Sequence, residues 1–129
     1  MAAPIRLLLV EDNHAFREAL QLLLELRSDV EVVAAVSSGE DAVPACRRYA
    51  PDVVLMDYRL PGLDGVQATA AVREACPAIA VICFTADVSA REAAALQVAG
   101  AVACVRKDGD LDELIGAIHG AAGRLVAAE

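Results

Sequence analysis

Four sets of polar residues lie at the C-terminal ends of short apolar runs, and their chemical types suit phosphoryl transfer. Glu11 and Asp12 come after the first run, Asp57 after the third, Thr85 after the fourth and Lys107, the only lysine of the chain, after the fifth. Carboxylates about 5 Å apart repel by roughly 3 kcal/mol per pair, so an acidic cluster of this kind needs a cation. Oxygen ligands without histidine or thiolate favour Mg²⁺. We therefore expect a magnesium-bound aspartate that attacks phosphorus, with the lysine and the threonine contacting the phosphoryl oxygens.

The apolar runs themselves recur at regular intervals, with room for one helix in each gap. They cover Ile5–Val10, Val30–Val36, Val53–Met56, 79–84 and 103–105. Strands that alternate with helices in this way predict a parallel sheet. The second run alternates with polar Glu31 and indicates a partly exposed edge strand, whereas the third and fourth are continuously apolar and therefore buried on both faces. The expected fold is a flavodoxin-like (βα)5 α/β domain, a doubly wound parallel sheet in the order 2-1-3-4-5, which brings the polar residues to one edge.

Helices are predicted in the four gaps and after the fifth strand. Apolar residues at helical spacing mark the first and the fifth helix: Phe16, Leu20 and Leu23 in one, and Leu111, Leu114, Ile115 and Ile118 in the other. The third helix is expected at about 64–75, and the fourth at 90–99 with Ser89 as its N-cap and Gly100 as its stop. The second, within 38–49, contains Pro44, which predicts a distorted or late-starting first two turns.

Composition limits the functions open to the chain. Its 129 residues predict a single domain, residues 1–129, and a net charge of -8 opposes direct binding to DNA. No apolar segment is long enough to span a bilayer, and acidic residues after the first run do not fit a signal peptide, so we expect a cytoplasmic protein without a membrane partner. The cysteines lack metal-site spacing and are predicted to be small core residues: Cys46, Cys76, Cys83 and Cys104.

Taken one at a time, the five polar residues of the strand ends have ordinary structural explanations. The acidic pair could cap the first helix, the third carboxylate could form a turn, the threonine could satisfy a loop amide and the lysine could be solvated. Their joint placement at the ends of parallel strands favours a site. Asp64 is assigned to turn and capping alone, and His14 and His119 are expected at the surface without a ligand role.

The chain resembles the receiver domains of bacterial two-component response regulators over essentially its whole length. The resemblance rests on five segments in the family's order and spacing: residues 9–13, 55–65, 84–86, 100–101 and 105–108. Within them, Arg59, the Pro-Gly-x-Asp-Gly sequence at 61–65 and Asp108 after the lysine are similar to receivers joined to LuxR/NarL-type helix-turn-helix output domains.

The resemblance implies a role for each residue of the acidic cluster. Asp57 would accept phosphate from a sensor histidine kinase. Asp12 and Asp57 would bind Mg²⁺ directly, Glu11 would act through a bound water molecule, and Arg59 would contribute its backbone carbonyl oxygen. Lys107 would pair with Asp57 or with the phosphoryl group.

The resemblance also implies a switch centred on Thr85, which would move toward the phosphoryl group after transfer. Receivers usually carry Tyr, Phe or His three residues before the conserved lysine, where this chain has Cys104. Because a small thiol cannot fill a ring-sized pocket, we expect the signal to travel through the loop after Thr85 and the helix at 90–99. A separate hypothesis pairs Arg59 with Asp87 across the site, where the two would hinder hydrolytic water.

The expected function is a switch and not an enzyme, since the domain would catalyse only its own phosphotransfer and dephosphorylation. The resemblance implies a homodimer on activation and contact with DNA only through an output domain. Residues 124–129 contain no linker or DNA-reading helix, so we expect that domain to have been removed; a stand-alone receiver is the alternative. Two other classes stay open: a phosphorylation-independent interaction scaffold, favoured by Cys104, and a metal-dependent phosphohydrolase, disfavoured because Arg59 stands where its general acid belongs.

Overall fold

Five parallel strands form a single sheet in the computed structural model, which describes residues 3–123. The strands are β1 (Ile5–Val10), β2 (Val30–Val36), β3 (Val53–Met56), β4 (Ala80–Thr85) and β5 (Ala101–Arg106). Their order is β2-β1-β3-β4-β5, so the predicted fold class and the edge position of β2 are confirmed. Residues 124–129, for which the sequence predicts neither a linker nor a DNA-reading helix, are outside the described part of the chain.

Helices cover both faces of the sheet. They are α1 (His14–Glu25), α2 (Ala42–Tyr49), α3 (Gly65–Ala75), α4 (Ala90–Ala99) and α5 (Leu111–Ala121). Large branched side chains of α1 and α5 pack on one face, among them Leu24 and Ile118. The other face is covered by α2 and α3 through small residues such as Ala42 and Ala68, and by Leu96 of α4. All four residues of β3 are buried, as expected for a strand covered on both sides.

The buried face of α1 differs from the prediction by one position. Leu20 and Leu24 are buried, whereas Leu23, predicted on the core face, is 48% exposed. Residues four apart lie on the same helix face, so Phe16, Leu20 and Leu24 form the stripe that meets the sheet. Leu22 and Leu26 are also exposed, which leaves an apolar outer surface on this part of the chain.

The second helix starts late, as Pro44 predicts. A single 3-10 turn at Gly39–Asp41 precedes α2, which begins at Ala42. Pro44 therefore lies in the first turn of the helix, where a backbone N–H has no partner within the helix.

Capping residues set the starts of α3 and α4. Asp64 accepts a hydrogen bond from the Gln67 backbone while the Gln67 side chain accepts one from the Asp64 backbone, and Ser89 and Glu92 form the same reciprocal pair. The capping roles predicted for Asp64 and Ser89 are confirmed. Gly100 ends α4 with a φ of 115°, a conformation that favours glycine.

The last two strands have boundaries other than those expected. Ile79 donates its N–H to Cys76 in a turn, so β4 begins at Ala80 and not at residue 79. The fifth strand is longer than 103–105, because its pairing with β4 runs from Ala101 to Arg106.

Two cysteines and one histidine lie in environments other than those predicted. Cys46 and Cys83 are buried, but Cys76 is half-buried and Cys104 is exposed, since β5 is an edge strand. His119, expected at the surface, keeps only 16% of its side chain exposed because its Nε2 lies 2.8 Å from Asp29 Oδ2. His14 is exposed as predicted. Among residues 3–123 no helix is both long and apolar enough to cross a membrane.

Candidate phosphoacceptor site

Backbone hydrogen bonds just beyond the strands fix the chain where the predicted site residues begin. The N–H of Glu11 donates to the carbonyl oxygen of Val36 at 3.0 Å, and that of Asp57 donates to Val10 at 3.0 Å. The N–H of Lys107 donates to Thr85 at 2.8 Å. Each residue therefore continues the ladder of the sheet by one step, which brings these side chains to the same edge.

Three carboxylates meet at this edge, and together they form the acidic cluster. One oxygen each from Glu11, Asp12 and Asp57 lies within 4.8 Å of the other two. Glu11 and Asp57 are buried, with 4% and 6% exposure, whereas Asp12 faces solvent. The Asp57 side chain is not completely buried, since 7% of its surface is accessible to solvent. The predicted convergence of the acidic residues is confirmed.

Lys107 is the cation that faces the acidic cluster. Its Nζ lies 2.5 Å from Glu11 Oε1 and 3.4 Å from Asp57 Oδ2. The ammonium also lies 4.6 Å from the centre of the Phe16 ring, a cation–π contact that restrains the side chain. Sequence reasoning placed Phe16 in the core alone, although its position one turn into the helix after the acidic pair is a signal that could have found this contact.

Charge and burial act together on Asp57. Burial and the neighbouring Glu11 raise the pKa of its carboxyl group to about 6, while Lys107 opposes the rise. The backbone N–H of Arg59 donates to Asp57 Oδ1 at 3.4 Å. Among the described residues, Lys107 pairs with two of the three carboxylates, Glu11 and Asp57. The remaining negative charge and the all-oxygen donor set of the acidic cluster fit a hard divalent cation.

The loop from β3 to α3 passes close beneath the acceptor. A Cβ atom on Gly65 would lie 2.6 Å from the Asp57 carbonyl oxygen and 2.6 Å from Tyr58 Cα. The Gly65 N–H donates to the Tyr58 carbonyl oxygen at 2.9 Å. Only glycine lets the helix start this near to the acceptor. The sequence pattern predicted a turn here and did not reveal this steric role.

The remaining predicted site residues lie around the acidic cluster. Thr85 ends β4 and is 2% exposed. Arg59 lies two residues after the acceptor with an exposed side chain, and its guanidinium lies 4.0 Å from Glu92 on α4. The hypothesis that Arg59 pairs with Asp87 is therefore wrong for the described geometry, because the α4 carboxylate is the one within reach.

The sequence model of the response regulator receiver domain matches residues 7–119. This chain belongs to that family. The receiver domain is similar to the response regulator UvrY of Escherichia coli strain K12, with 35% identity over 115 residues, 89% of this chain and 53% of UvrY. It is also similar to the transcriptional regulatory protein LnrK of Bacillus subtilis strain 168, with 33% identity over 115 residues, 88% of this chain and 52% of LnrK. The chain spans about half the length of the curated relatives it matches.

Solved structures place the receiver domain in the LuxR/NarL type. The signal receiver domain of a NarL response regulator from Mycobacterium tuberculosis has a TM-score of 0.89 and 30% identity, with 95% of this chain and 98% of that chain covered. A LuxR-family two-component response regulator from Aurantimonas sp. SI85-9A1 has a TM-score of 0.87 and 35% identity, with 94% of this chain and 87% of that chain covered. The family and subtype inferred from the five sequence segments are thus confirmed.

Proposed function

We propose that this receiver domain accepts a phosphoryl group on Asp57 from the phosphohistidine of a sensor histidine kinase. The single observation that supports this most strongly is the position of the Asp57 carboxylate. It lies in the acidic cluster and 3.4 Å from the ammonium of Lys107. A carboxylate that is mostly buried, still 7% accessible and faced by a cation is suited to nucleophilic attack on phosphorus.

The proposed step forms one bond and breaks one. An oxygen of ionised Asp57 bonds to phosphorus as the bond from phosphorus to the donor imidazole breaks, and the product is an acyl phosphate. Because the pKa of Asp57 is about 6, most of the carboxyl group is ionised at neutral pH. Lys107, already seated against Phe16, would then face the phosphoryl oxygens, and the hydroxyl of Thr85 would approach them from the end of β4.

The fit of the acidic cluster to a hard cation extends the proposal to Mg²⁺. Glu11, Asp12 and Asp57 would hold the ion, with the carbonyl oxygen of Arg59 as a further ligand. When bound, the ion supplies positive charge that neutralises the acidic residues and the phosphoryl oxygens.

Output through a DNA-binding domain is a further part of the proposal. LnrK is named a transcriptional regulatory protein, and a DNA-binding LuxR-family response regulator of Staphylococcus aureus has a TM-score of 0.84 to this chain at 29% identity. We propose that phosphorylation promotes a homodimer of a cytoplasmic regulator, and that the domain turns over no external substrate. The exposed Arg59, two residues after the acceptor, offers no general acid for a phosphohydrolase.

The experiment is incubation with acetyl phosphate and Mg²⁺, followed by intact mass and by an assay of p-nitrophenyl phosphate turnover. We expect one phosphoryl addition that is lost in Asp57→Asn and kept in Asp87→Asn, whose carboxylate is exposed outside the acidic cluster. An unmodified protein would support the phosphorylation-independent scaffold, and turnover of the phosphoester would support the phosphohydrolase.

A further inference from the structure

Two cysteines face each other across the last pair of strands. Cys83 of β4 and Cys104 of β5 are register partners, so their side chains leave the sheet on the same face. Neighbouring strands lie about 4.8 Å apart, within the Cα separation of about 4.4 to 6.8 Å that a disulfide spans. The two thiols are near enough for the Cys104 side chain to influence the pKa of Cys83.

The two thiols differ in exposure. Cys83 is 0% exposed and packs near Leu96 of α4, whereas Cys104 is open to solvent on the edge strand. Burial raises the pKa of the Cys83 thiol, and the adjacent Cys104 raises it further. An oxidant from solvent therefore meets Cys104 first, and the register partner Cys83 lies beside it on the same face of the sheet.

We propose that Cys83 and Cys104 form a redox-modification site, at which a hydroperoxide converts the two thiols into a disulfide between β4 and β5. Cys46 of α2 and Cys76 after α3 also lie near each other, in the same apolar cluster. No strand register fixes their separation, so they provide the comparison pair. Disulfides in reducing compartments are mostly transient and redox-sensing, which is the role this site would have.

The proposed chemistry balances with one hydroperoxide. The Cys104 sulfur attacks the terminal oxygen, the O–O bond breaks, and the released alkoxide takes the thiol proton and leaves as an alcohol. Cys104 is then a sulfenic acid. The Cys83 sulfur attacks the Cys104 sulfur, the S–O bond breaks, the S–S bond forms, and the hydroxyl leaves as water with the Cys83 proton. The two sulfurs lose two electrons, and the hydroperoxide gains them.

The location gives the modification a consequence for the site. Cys83 lies two residues before Thr85, and Cys104 lies three residues before Lys107. A disulfide would therefore join β4, which ends at Thr85, to β5, which ends one residue before Lys107. Relative movement of these strand ends would be restricted in the oxidised form.

The test treats the folded protein with hydrogen peroxide, alkylates the remaining thiols after denaturation and maps the peptides by mass spectrometry. We expect a peptide pair joined through Cys83 and Cys104, about tenfold or more above any other cysteine pairing, because strand pairing holds the two side chains next to each other. A thiol reductant should reverse it. The pair should be absent from Cys104→Ser, whose changed side chain is exposed, and present in the matched control Cys76→Ser.

Three outcomes would overturn the proposal. One is oxidation of Cys104 to sulfinic or sulfonic acid while Cys83 stays open to alkylation. Another is a disulfide between Cys104 residues of two chains, visible as a dimer mass. The third is equal recovery of the pair through Cys46 and Cys76, which would show that strand register gives no preference.

Discussion

Replacing Asp57 with asparagine should stabilise the metal-free domain. Burial and the neighbouring Glu11 raise the pKa of the Asp57 carboxyl group from 3.8 to about 6 in the folded chain. Because the folded pKa is the higher one, ionisation of Asp57 opposes folding: the effect is absent below pH 3.8 and complete above about pH 6. That pKa difference corresponds to about 3 kcal/mol of unfolding free energy, which the uncharged amide of the Asp57→Asn variant would restore.

Urea unfolding with a chelator present measures this effect. At pH 7.5 the midpoint of Asp57→Asn should lie about 1 to 2 M above that of the unmodified domain. At pH 5 the increase in the free energy of unfolding should be about half as large, because the Asp57 carboxyl group of the folded chain is then mostly protonated. The control Asp87→Asn, which removes an exposed carboxylate, should change the free energy of unfolding by less than about 0.5 kcal/mol. Equal or lower stability of Asp57→Asn at pH 7.5 would refute the electrostatic account of the acidic cluster.

Three further predictions concern packing, an ion pair and the switch. Gly65→Ala should lower the free energy of unfolding by about 1 to 3 kcal/mol, because the added Cβ meets backbone atoms. The control Gly116→Ala, which has open space at its Cβ, should be neutral or stabilising. Equal urea midpoints for the two variants would contradict this prediction. The hydrogen bond from Arg27 holds the pKa of Asp29 well below its usual range. Asp29→Asn should therefore lower the free energy of unfolding by about 1 kcal/mol at pH 7. The difference in stability between the two proteins should shrink as the pH falls below 3.8, because Asp29 is then protonated in the unfolded chain. Cys104→Tyr should change beryllofluoride-dependent dimerisation, measured by light scattering, more than the rate of acetyl phosphate labelling; equal changes would argue against a switch role for this position.

The sheet order and the acidic cluster were predictable because both follow from rules about parallel strands. Right-handed crossovers between regularly spaced apolar runs fix the order of the strands, and a parallel sheet places all their carboxyl ends at one edge. The types of residue at those ends then identify the chemistry. No side-chain conformation was needed for either step, which is why Glu11, Asp57 and Lys107 could be assigned to one site in advance.

Side-chain partners were less predictable, because they depend on rotamers and on distances between loops. The contact of Lys107 with the Phe16 ring and the approach of Arg59 to Glu92 on α4 are of this kind. His119 illustrates the same point, since its carboxylate partner Asp29 is distant in sequence and its burial follows from that pairing. The exposure of Cys104 is different: the predicted strand order already placed the fifth strand at an edge, so that signal was present and was not used.

The presence of one lysine in the whole chain makes the site directly observable in solution. Lysine enriched with ¹⁵N at Nζ alone would give the domain a single side-chain nitrogen resonance, from the ammonium that lies near the carboxylates of Glu11 and Asp57. The chemical shift of that nucleus would follow proton uptake, cation titration and phosphorylation in turn, without assignment of any other part of the spectrum.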